Sequence, residues 1–544
     1  MGFARACSVA LVGVEGVVVE VQADLEPGVA AFTLVGLPDK TLVESRDRVR
    51  AAVANSGAAW PQKKLTVGLS PASVPKGGSG FDLAVAAAVL GAAEVVDPAV
   101  IADLVLIGEL GLDGRVRPVP GILPSVLAAA EAGHRHVVVP RGCAAEAELV
   151  PGVSVLGVGS LRRLIAVLTG ADGAASEPEE EAGPPGPGPS GLLVPGAGPG
   201  TGVLSGRPAE GVPGDLPDLA DVAGQQGARR ALEVAASGGH HLFLSGPPGA
   251  GKTMLAERMQ GILPPLSRQD SLEVTAVHSV AGILPPGDPL VTRAPYCAPH
   301  HSATMQSLVG GGAGVPRPGA VSLAHRGILF LDEAAEFSAK ALDALRQPLE
   351  SGRVVIARAA GVVRLPARFL LVLAANPCPC GRHGLYGAGC ECPASVVRRY
   401  QARLSGPLLD RVDLRVEIEP VGRCDLARPG SRGEPTAVVA ARVRQARDRA
   451  ASRLAGTPWR LNAEVPGHEL RTRWPAAPGA LAQAERDLER GLLTARGLDR
   501  VLRVAWTVAD LRGNDRPDAL DVAVALELRT GVARGAALAA GAAP

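Results

Sequence analysis

The chain lacks both a hydrophobic stretch long enough to cross a bilayer and an excess of one charge. Its longest apolar run, Leu83 to Ala93, ends at Glu94 and is far shorter than the roughly 20 residues of a membrane helix. The chain has 55 Lys and Arg residues and 54 Asp and Glu residues, so its formal net charge is +1. It therefore lacks the overall basic charge of many nucleic-acid-binding proteins. We therefore expect a soluble, cytoplasmic protein whose contacts with nucleic acid come from local patches.

The first apolar segment is not typical of a cleaved targeting sequence. Ala6 to Val14 follows Arg5 and faintly resembles a signal peptide, but Glu15 and Glu20 come next and no small-residue cleavage site is evident. Residues 17–23 continue as a strand pattern. The segment therefore predicts a β-hairpin of a folded domain.

Composition and periodicity predict a multidomain α/β protein with five parts. Two helical segments stand out near the N-terminus, Leu42–Ser56 and Phe81–Gly91. A Pro-, Gly- and Glu-rich stretch cannot bury a core and predicts a flexible linker. Strand–helix alternation after it is typical of a parallel sheet covered by helices. The predicted parts are a first domain over 1–171, the linker over 172–214, the α/β core over 215–420, a helical region over 421–534 and a disordered tail over 535–544.

A glycine-rich loop with the pattern G-x-x-x-x-G-K-[ST] follows the apolar run His241–Ser245. In such a loop the backbone N–H groups cradle phosphate oxygens, Lys252 reaches the β- and γ-phosphates, and the Thr253 hydroxyl ligates Mg²⁺. A bare Gly/Pro-rich turn is the alternative, but the order strand, loop, helix favours ATP binding. The predicted nucleotide-contacting residues are Gly246, Pro247, Pro248, Gly249, Ala250, Gly251, Lys252, Thr253 and Met254.

Polar residues follow two further apolar strands. Gly327–Leu331 ends in Asp332 and Glu333, where the first carboxylate can position Mg²⁺ and the second can deprotonate the attacking water. Phe369–Ala375 ends at Asn376, which either contacts the γ-phosphate or lytic water or simply terminates the strand.

One arginine suggests an intersubunit role. Arg411 lies in a helix–strand junction, where an arginine is usually a surface or salt-bridge residue. In an oligomeric ATPase it would instead serve as an arginine finger on the neighbour's γ-phosphate.

Together these motifs resemble the AAA+ ATPase module. A longer series of segments follows in order: 218–232, 298–302, 308–312, 316–324, 330–337, 345–350, 376–381 and 403–411. This series resembles the magnesium-chelatase-like ComM/YifB family nearly end to end. That family implies a ring-forming, hexameric ATPase that translocates on DNA and drives branch migration during homologous recombination of incoming DNA in natural transformation.

The resemblance extends to the helical region. Residues 493–505 are similar to the family's sensor-2 helix, which implies that Arg496 contacts the γ-phosphate and that the region is the AAA+ lid. Thr494 replaces the usual Ser of this motif.

Residues 351–364 predict a hairpin, because two short β-branched runs flank Ala-Ala-Gly. In ring helicases of the same clade such a hairpin projects into the pore. Arg358 near its tip either contacts DNA phosphates or is a solvated hairpin arginine.

Four of the eight cysteines lie in one glycine-rich loop over 378–392. Two pairs of thiolates can bind a tetrahedral Zn²⁺, although the Cys-x-Cys spacing is less common than Cys-x-x-Cys. Four reduced thiols or a redox pair are the alternatives, and His383 is a spare ligand. The candidate zinc ligands are Cys378, Cys380, Cys390 and Cys392. His300 and His301 are left out of any metal site, since adjacent histidines point in different directions.

The first domain resembles the Lon-protease-like domain of the ribosomal-S5 fold over residues 69–86 and 107–119. Ser79 occupies the place of the nucleophile, but Leu123 stands where the lysine base is expected. We therefore expect a non-proteolytic scaffold and disfavour an ATP-dependent protease. The alternative to a DNA motor is the motor subunit of a metal-chelatase-type complex that remodels a partner protein.

Overall fold

The computed structural model describes residues 2–36, 39–171, 216–285, 287–312, 316–358, 361–384, 389–420 and 433–531. The expected linker over 172–214 and the expected tail over 535–544 lie outside the described residues. Within the described part of the chain, no helix is long and apolar enough to cross a membrane.

The N-terminal region contains nine strands and seven α-helices among the described residues. In chain order these are β1 (Gly2–Val12), β2 (Glu15–Glu26), β3 (Ala31–Val35), α1 (Lys40–Val43), α2 (Ser45–Asn55), β4 (Lys64–Ser70), α3 (Asp82–Ala92), α4 (Pro98–Ala102), β5 (Leu104–Leu106), β6 (Glu109–Leu110), β7 (Val116–Arg117), α5 (Ile122–Glu131), β8 (His136–Pro140), α6 (Ala144–Ala147), β9 (Ser154–Val158) and α7 (Leu161–Leu168).

Seven of these strands form a mixed sheet in the order β3-β4-β2-β1-β5-β8-β9. β1 and β2 pair antiparallel from Gly2 opposite Leu25 to Val12 opposite Glu15, which confirms the predicted N-terminal hairpin. Alternate residues of β2 are buried, as expected for a strand with one face on a core. Every residue of α3 is buried against this sheet, which explains why the longest apolar run of the sequence lies there.

The central region carries the strand–helix alternation predicted from the sequence. Its elements are α8 (Gln226–Gly238), β10 (Leu242–Ser245), α9 (Lys252–Ile262), α10 (Arg268–Ala281), β11 (Tyr296–Cys297), α11 (Met305–Val309), β12 (Gly310–Gly311), β13 (Arg317–Pro318), α12 (Ala320–Leu323), β14 (Ile328–Leu331), α13 (Ala339–Ala344), α14 (Arg346–Ser351), β15 (Arg353–Arg358), β16 (Gly361–Pro366), β17 (Leu370–Ala375), α15 (Ala394–Gln401), α16 (Gly406–Leu409) and β18 (Leu414–Glu417).

Five strands of this region form an all-parallel sheet in the order β11-β14-β17-β10-β18. β14 and β17 are buried along their whole length, which accounts for their unbroken apolar sequences. Since all five strands point the same way, the residues that follow β10, β14 and β17 meet at one edge of the sheet. β15 and β16 form a separate antiparallel hairpin, as the sequence predicted.

The last described region is helical, as the sequence predicted. Its elements are α17 (Thr436–Arg453), α18 (Gly467–Thr472), α19 (Ala482–Glu489), α20 (Ala495–Arg512) and α21 (Ala519–Thr530). Helix α17 packs against α8, α9 and α20, so these helices share one hydrophobic core with the parallel sheet.

The N-terminal region contacts the central region at two places. Ser279 near the end of α10 donates a hydrogen bond to the partly buried carboxylate of Glu146, and the Ser279 carbonyl oxygen accepts the Gly121 N–H at 3.0 Å. The β1–β2 turn lies on the β15–β16 hairpin, since a methyl group on Gly13 would stand 2.8 Å from Cγ1 of Val363. The β1–β2 turn of the N-terminal region therefore packs against strand β16 of the hairpin.

Candidate nucleotide site

The glycine-rich loop joins β10 to α9 at the carboxyl edge of the parallel sheet. Gly249 and Gly251 have φ values of +75° and +92°, a left-handed conformation that favours glycine. A methyl group on Gly246 would lie 2.5 Å from the Ile418 carbonyl oxygen, so this position also requires glycine. The sequence thus folds into a loop that leads directly to the N-terminus of α9, a position suited to bind phosphate.

Lys252 is only 7% exposed and reaches back across the loop. Its Nζ donates hydrogen bonds to the Gly246 and Pro247 carbonyl oxygens at 2.7 and 2.8 Å and to Oδ1 of Asn376 at 3.0 Å. Burial lowers the pKa of this amine, and the nearby carboxylates of Asp332 and Glu333 partly offset that effect. Its hydrogen-bond partners are neutral oxygens, which suits an ammonium group that neutralises a bound phosphate.

Thr253 and Asp332 lie side by side although they are far apart in the sequence. The Thr253 hydroxyl donates to Oδ2 of Asp332 at 2.7 Å, and Oδ1 of the same carboxylate accepts the Glu333 N–H at 2.8 Å. A hydroxyl oxygen beside a carboxylate is the kind of ligand set that Mg²⁺ takes in phosphate sites. The residues present therefore fit a nucleotide-bound magnesium ion.

Asn376 is placed on the phosphate loop by the parallel pairing of β10 with β17. Its side-chain oxygen accepts a hydrogen bond from Lys252, so the side chain lies at the phosphate loop. Its contact with a γ-phosphate or a lytic water stays a prediction.

Glu333 has a partner that sequence reasoning did not identify. Nδ1 of His301 lies 3.0 Å from Oε2 of Glu333, and the rings of His300 and His301 are 4.0 Å apart. In the sequence, the one sign that His300 and His301 have a role was their position in segment 298–302, which resembles the family.

Arg411 and Arg496 lie together at the other edge of the sheet. Both line a cavity of about 890 Å³ that is also lined by His241, Gly327 and Phe369, which precede β10, β14 and β17. The phosphate loop follows β10, so one strand length of roughly 13 Å separates the two edges. The two arginines are therefore placed with each other and not with the phosphate loop of the same chain.

A buried ion pair holds this arginine-bearing edge together. Asp413 is nearly fully buried, and Arg500, on the same helix as Arg496, donates hydrogen bonds to its carboxylate and to the Arg411 carbonyl oxygen. Burial alone would raise the pKa of Asp413, but the hydrogen bond with His240 and the charge of Arg500 hold it well below its usual range. Arg411 itself pairs with Glu350 and donates to the Pro407 carbonyl oxygen at 2.6 Å.

Arg358 is exposed at the end of β15, opposite Gly361 of β16. Val354, Val363 and Leu365 anchor the hairpin in a hydrophobic cluster of the central region. The hairpin also exposes Arg353 and Arg364, so its outer surface is locally basic.

The four cysteines of the loop converge. The Sγ atom of Cys378 lies 3.3 Å from that of Cys380 and 3.8 Å from that of Cys390, and all four sulfurs lie within 4.8 Å of one another. A tetrahedron with metal–sulfur bonds of about 2.3 Å has sulfurs about 3.8 Å apart, so the cluster fits a metal ion. The loop also touches the nucleotide site, because a methyl group on Gly381 would lie 2.3 Å from Cδ of Pro248.

In the N-terminal region, Leu123 stands where a lysine base would be needed. Ser79 donates its hydroxyl to Glu109, whereas Leu123 is fully buried and only its backbone N–H is engaged, by Glu146 at 2.7 Å. The Ser79 hydroxyl is therefore paired with a carboxylate.

Three family models match separate stretches of the chain. Residues 218–426 match magnesium chelatase, subunit ChlI; residues 21–142 match subunit ChlI of Mg-chelatase; and residues 433–529 match the magnesium chelatase, subunit ChlI C-terminal model.

Individual relatives match almost the whole chain. An uncharacterized protein of Mycobacterium tuberculosis is 50% identical over 98% of this chain and 100% of its own length. The uncharacterized protein YifB of Escherichia coli is 38% identical over 93% of each chain, and the competence protein ComM of Haemophilus influenzae is 37% identical over 95% of each. A further relative matches only part of the chain: Lon protease 2 of Bacillus subtilis is 31% identical over 25% of this chain and 26% of its own length.

Proposed function

The chain belongs to the magnesium-chelatase-like ComM/YifB family, and from this premise we propose that it is an ATP-driven, ring-forming AAA+ motor that acts on DNA in the cytoplasm. Its task would be helicase or branch-migration activity in homologous recombination of incoming DNA. In this proposal residues 1–171 form a non-proteolytic Lon-like domain, 215–420 the AAA+ core and 421–534 the helical lid.

The observation that carries the proposal is the meeting of five polar side chains at the carboxyl edge of the parallel sheet. Bound ATP and Mg²⁺ would supply the phosphoryl group and its charge neutralisation. Lys252 and Asn376 would hold the γ-phosphate side of the site, Thr253 and Asp332 would hold the metal, and Glu333 would accept the proton of the attacking water.

The separation of the two sheet edges supports a ring. Arg411 and Arg496 share a cavity at the amino edge, away from the phosphate loop of their own chain. They act on a γ-phosphate only if a neighbouring copy brings its nucleotide to that cavity. A closed ring, with six copies as the expected number, supplies such a neighbour to every chain.

DNA is proposed as the substrate because the β15–β16 hairpin exposes Arg358 at the end of β15. We expect single-stranded or branched DNA to stimulate ATP hydrolysis at low salt, where phosphate contacts are strongest. Arg358→Ala should weaken DNA binding severalfold and lower the slope of log K against log salt by about 1 for each phosphate contact removed.

Arg353→Ala is the matched control, because Arg353 lies at the base of the same hairpin, away from Arg358, and its replacement should leave DNA binding nearly unchanged. The measurement is DNA binding across a salt series, together with ATPase activity. A parent protein that neither binds DNA nor is stimulated by it at low salt would contradict the DNA motor and favour the chelatase-type motor acting on a partner protein.

We further propose that Cys378, Cys380, Cys390 and Cys392 bind a structural zinc ion. Zinc would tie down the loop that begins at Asn376 and touches Pro248, so the ion would support the geometry of the phosphate site.

Metal analysis of the purified protein tests the zinc site. We expect about one zinc per chain in the parent protein, a loss of most of it in Cys390→Ser, and a lower melting temperature in that variant. Cys7→Ser, in β1 of the N-terminal region, is the control and should keep its zinc. Zinc-free parent protein, or unchanged zinc in Cys390→Ser, would exclude the site.

A further inference from the structure

The cavity that holds Arg411 and Arg496 has more positive than negative side chains. Its lining includes eight arginines and six aspartates or glutamates. Four of the arginines pair with carboxylates. The other four have no carboxylate within ion-pair distance in the part of the chain that the structure describes: Arg368, Arg447, Arg496 and Arg503. The cavity therefore carries a net positive charge.

Arg447 and Arg503 are the partly buried members of this unpaired group, whereas the other two are exposed. Nε and Nη2 of Arg447 donate to the Ala236 carbonyl oxygen at 2.9 and 2.6 Å. Nε of Arg503 donates to the Val465 carbonyl oxygen at 2.7 Å. These bonds hold the two side chains in place without neutralising them, and each guanidinium has further N–H groups to offer a ligand.

Four carboxylates lie near these two arginines, and each of them is engaged by another group. Asp270 and Asp413 pair with other arginines of the cavity. Asp499 pairs with an arginine that does not line the cavity, and Glu464 accepts two backbone N–H groups. The acids around the two guanidiniums are thus already committed to other partners.

Both guanidiniums keep their charge at neutral pH. Burial lowers the pKa of Arg447 to about 10, and burial also lowers the pKa of Arg503, while the surrounding acids oppose both shifts. A partly buried charge without a counterion costs free energy, and binding of an anion relieves that cost. The two arginines are therefore suited to bind a small anion that enters the cavity.

The two arginines lie deeper along the helix that carries Arg496. Arg496 and Arg503 are seven residues apart on α20, so they share one face of the helix and are about 10 Å apart along its axis. Arg447 comes from α17, which packs against α20. A methyl group on Gly239 would lie 2.7 Å from Cδ1 of Leu461, so the end of α8 that holds Arg447 adjoins the segment that holds Arg503.

We propose that Arg447 and Arg503 form a binding site for inorganic phosphate, which receives the phosphate that hydrolysis releases from the neighbouring chain's ATP. The inference rests on the proposed intersubunit ATPase and adds a product site to its cavity. A guanidinium fork matches two phosphate oxygens, so two such groups suit a compact anion with more than one negative charge.

Hydrolysis supplies this anion beside the exposed arginines. The bond between the γ-phosphorus and the β–γ bridging oxygen breaks, the bridging oxygen stays with ADP, and the attacking water provides the new oxygen and gives up a proton. Arg411 and Arg496 contact the γ-phosphate until that bond breaks. The freed phosphate then moves about 10 Å along α20, from the exposed Arg496 to the partly buried Arg503.

Calorimetric titration of sodium phosphate into the full-length Lys252→Ala protein, at constant ionic strength, measures this site. Lys252→Ala removes a main phosphate contact of the glycine-rich loop, so the remaining saturable binding reports on the cavity. Arg503→Gln or Arg447→Gln, added to this background, should weaken phosphate binding by about tenfold or more, because each removes a charge-assisted contact. Glutamine keeps an N–H donor for the Val465 or Ala236 carbonyl oxygen.

Arg444→Gln is the matched control, because Arg444 is an exposed arginine on α17, three residues before Arg447, and does not line the cavity. It should leave phosphate binding unchanged, and melting temperatures establish that each variant is folded.

Steady-state kinetics separate a product site from a structural role. Phosphate inhibition that is noncompetitive with ATP should weaken by about tenfold in Arg503→Gln, as binding does. KM for ATP should stay the same, because Arg503 contacts the product and not the nucleotide. A variant that is merely misfolded would not change one of these quantities alone.

ADP distinguishes free phosphate from the phosphoryl groups of a nucleotide. In the Lys252→Ala protein, ADP should not displace inorganic phosphate from the cavity. Displacement by ADP at equal concentration would overturn the assignment to free phosphate and give the cavity to nucleotide phosphates.

The remaining outcomes separate this inference from the proposed function. The absence of saturable phosphate binding in Lys252→Ala, or equal binding after Arg503→Gln, would overturn the product site alone. Phosphate binding that depends on Arg503, in a protein whose Arg411→Ala and Lys252→Ala variants do not restore each other's activity, would overturn both the intersubunit ATPase and the neighbour as the source of the phosphate.

Discussion

Replacing Arg411 with alanine is expected to lower kcat for ATP hydrolysis by about 10³-fold or more, because an arginine finger supplies that much transition-state stabilisation. Arg411 lines the cavity at the amino edge of the sheet and is oriented by Glu350 and by the Asp413–Arg500 pair. ATP binding should persist, since the phosphate loop and Lys252 lie at the opposite edge. Steady-state hydrolysis and nucleotide binding measure the two effects separately.

Mixing variants tests whether Arg411 acts on a neighbouring chain. Lys252→Ala should be inactive by itself because it lacks the phosphate contact. In an equal mixture with Arg411→Ala, about one quarter of the interfaces would combine an intact phosphate loop with an intact arginine, so activity should return in part. Arg496→Ala, which changes the same cavity, should be rescued in the same way.

Arg444→Ala, an exposed arginine on α17, serves as the control and should hydrolyse ATP at the parental rate. Failure of the mixture to exceed the sum of its components, with ring assembly intact, would show that Arg411 does not complete a neighbour's site.

The second large effect is expected for Glu333→Gln, which should lower kcat by about 10²- to 10⁴-fold because the amide cannot accept the proton of the attacking water. Nucleotide binding should remain, since neither the Lys252–Asn376 contact nor the Thr253–Asp332 contact involves the Glu333 side chain. Single-turnover hydrolysis and ATP binding provide the measurement.

Glu336→Gln is the matched control, because this carboxylate lies three residues away and binds Arg403 at 2.7 Å instead of facing the phosphate loop. Hydrolysis above about a tenth of the parental rate in Glu333→Gln would contradict its assignment as the general base.

Much of the nucleotide site could be predicted because its parts are encoded locally. The loop from Gly246 to Thr253 has a spacing that only a phosphate-cradling turn requires, and apolar runs before Asp332 and Asn376 predict strands of a parallel sheet. Parallel strands bring their carboxyl ends to one edge, so the meeting of these residues followed from the strand assignments. The hairpin around Arg358 was predictable for the same reason, from β-branched runs about a turn.

Other features depended on contacts between distant segments. Sequence patterns place Arg496 in a helix, but only the packing of α20 on the core puts it in one cavity with Arg411. The same holds for the contact of the cysteine loop with Pro248 and for the hydrogen bond between Lys252 and Asn376.

The sequence by itself determined that this chain has a phosphate loop, two acidic residues after a buried strand and a cluster of four cysteines. Each of these rests on short-range spacing, which backbone geometry converts directly into local structure. Only the tertiary structure decided that Glu333 faces His301 and that Arg411 and Arg496 lie away from their own phosphate loop. Those relations depend on how whole helices and strands pack against one another. The spacing of residues along the chain does not specify which distant side chains will come into contact.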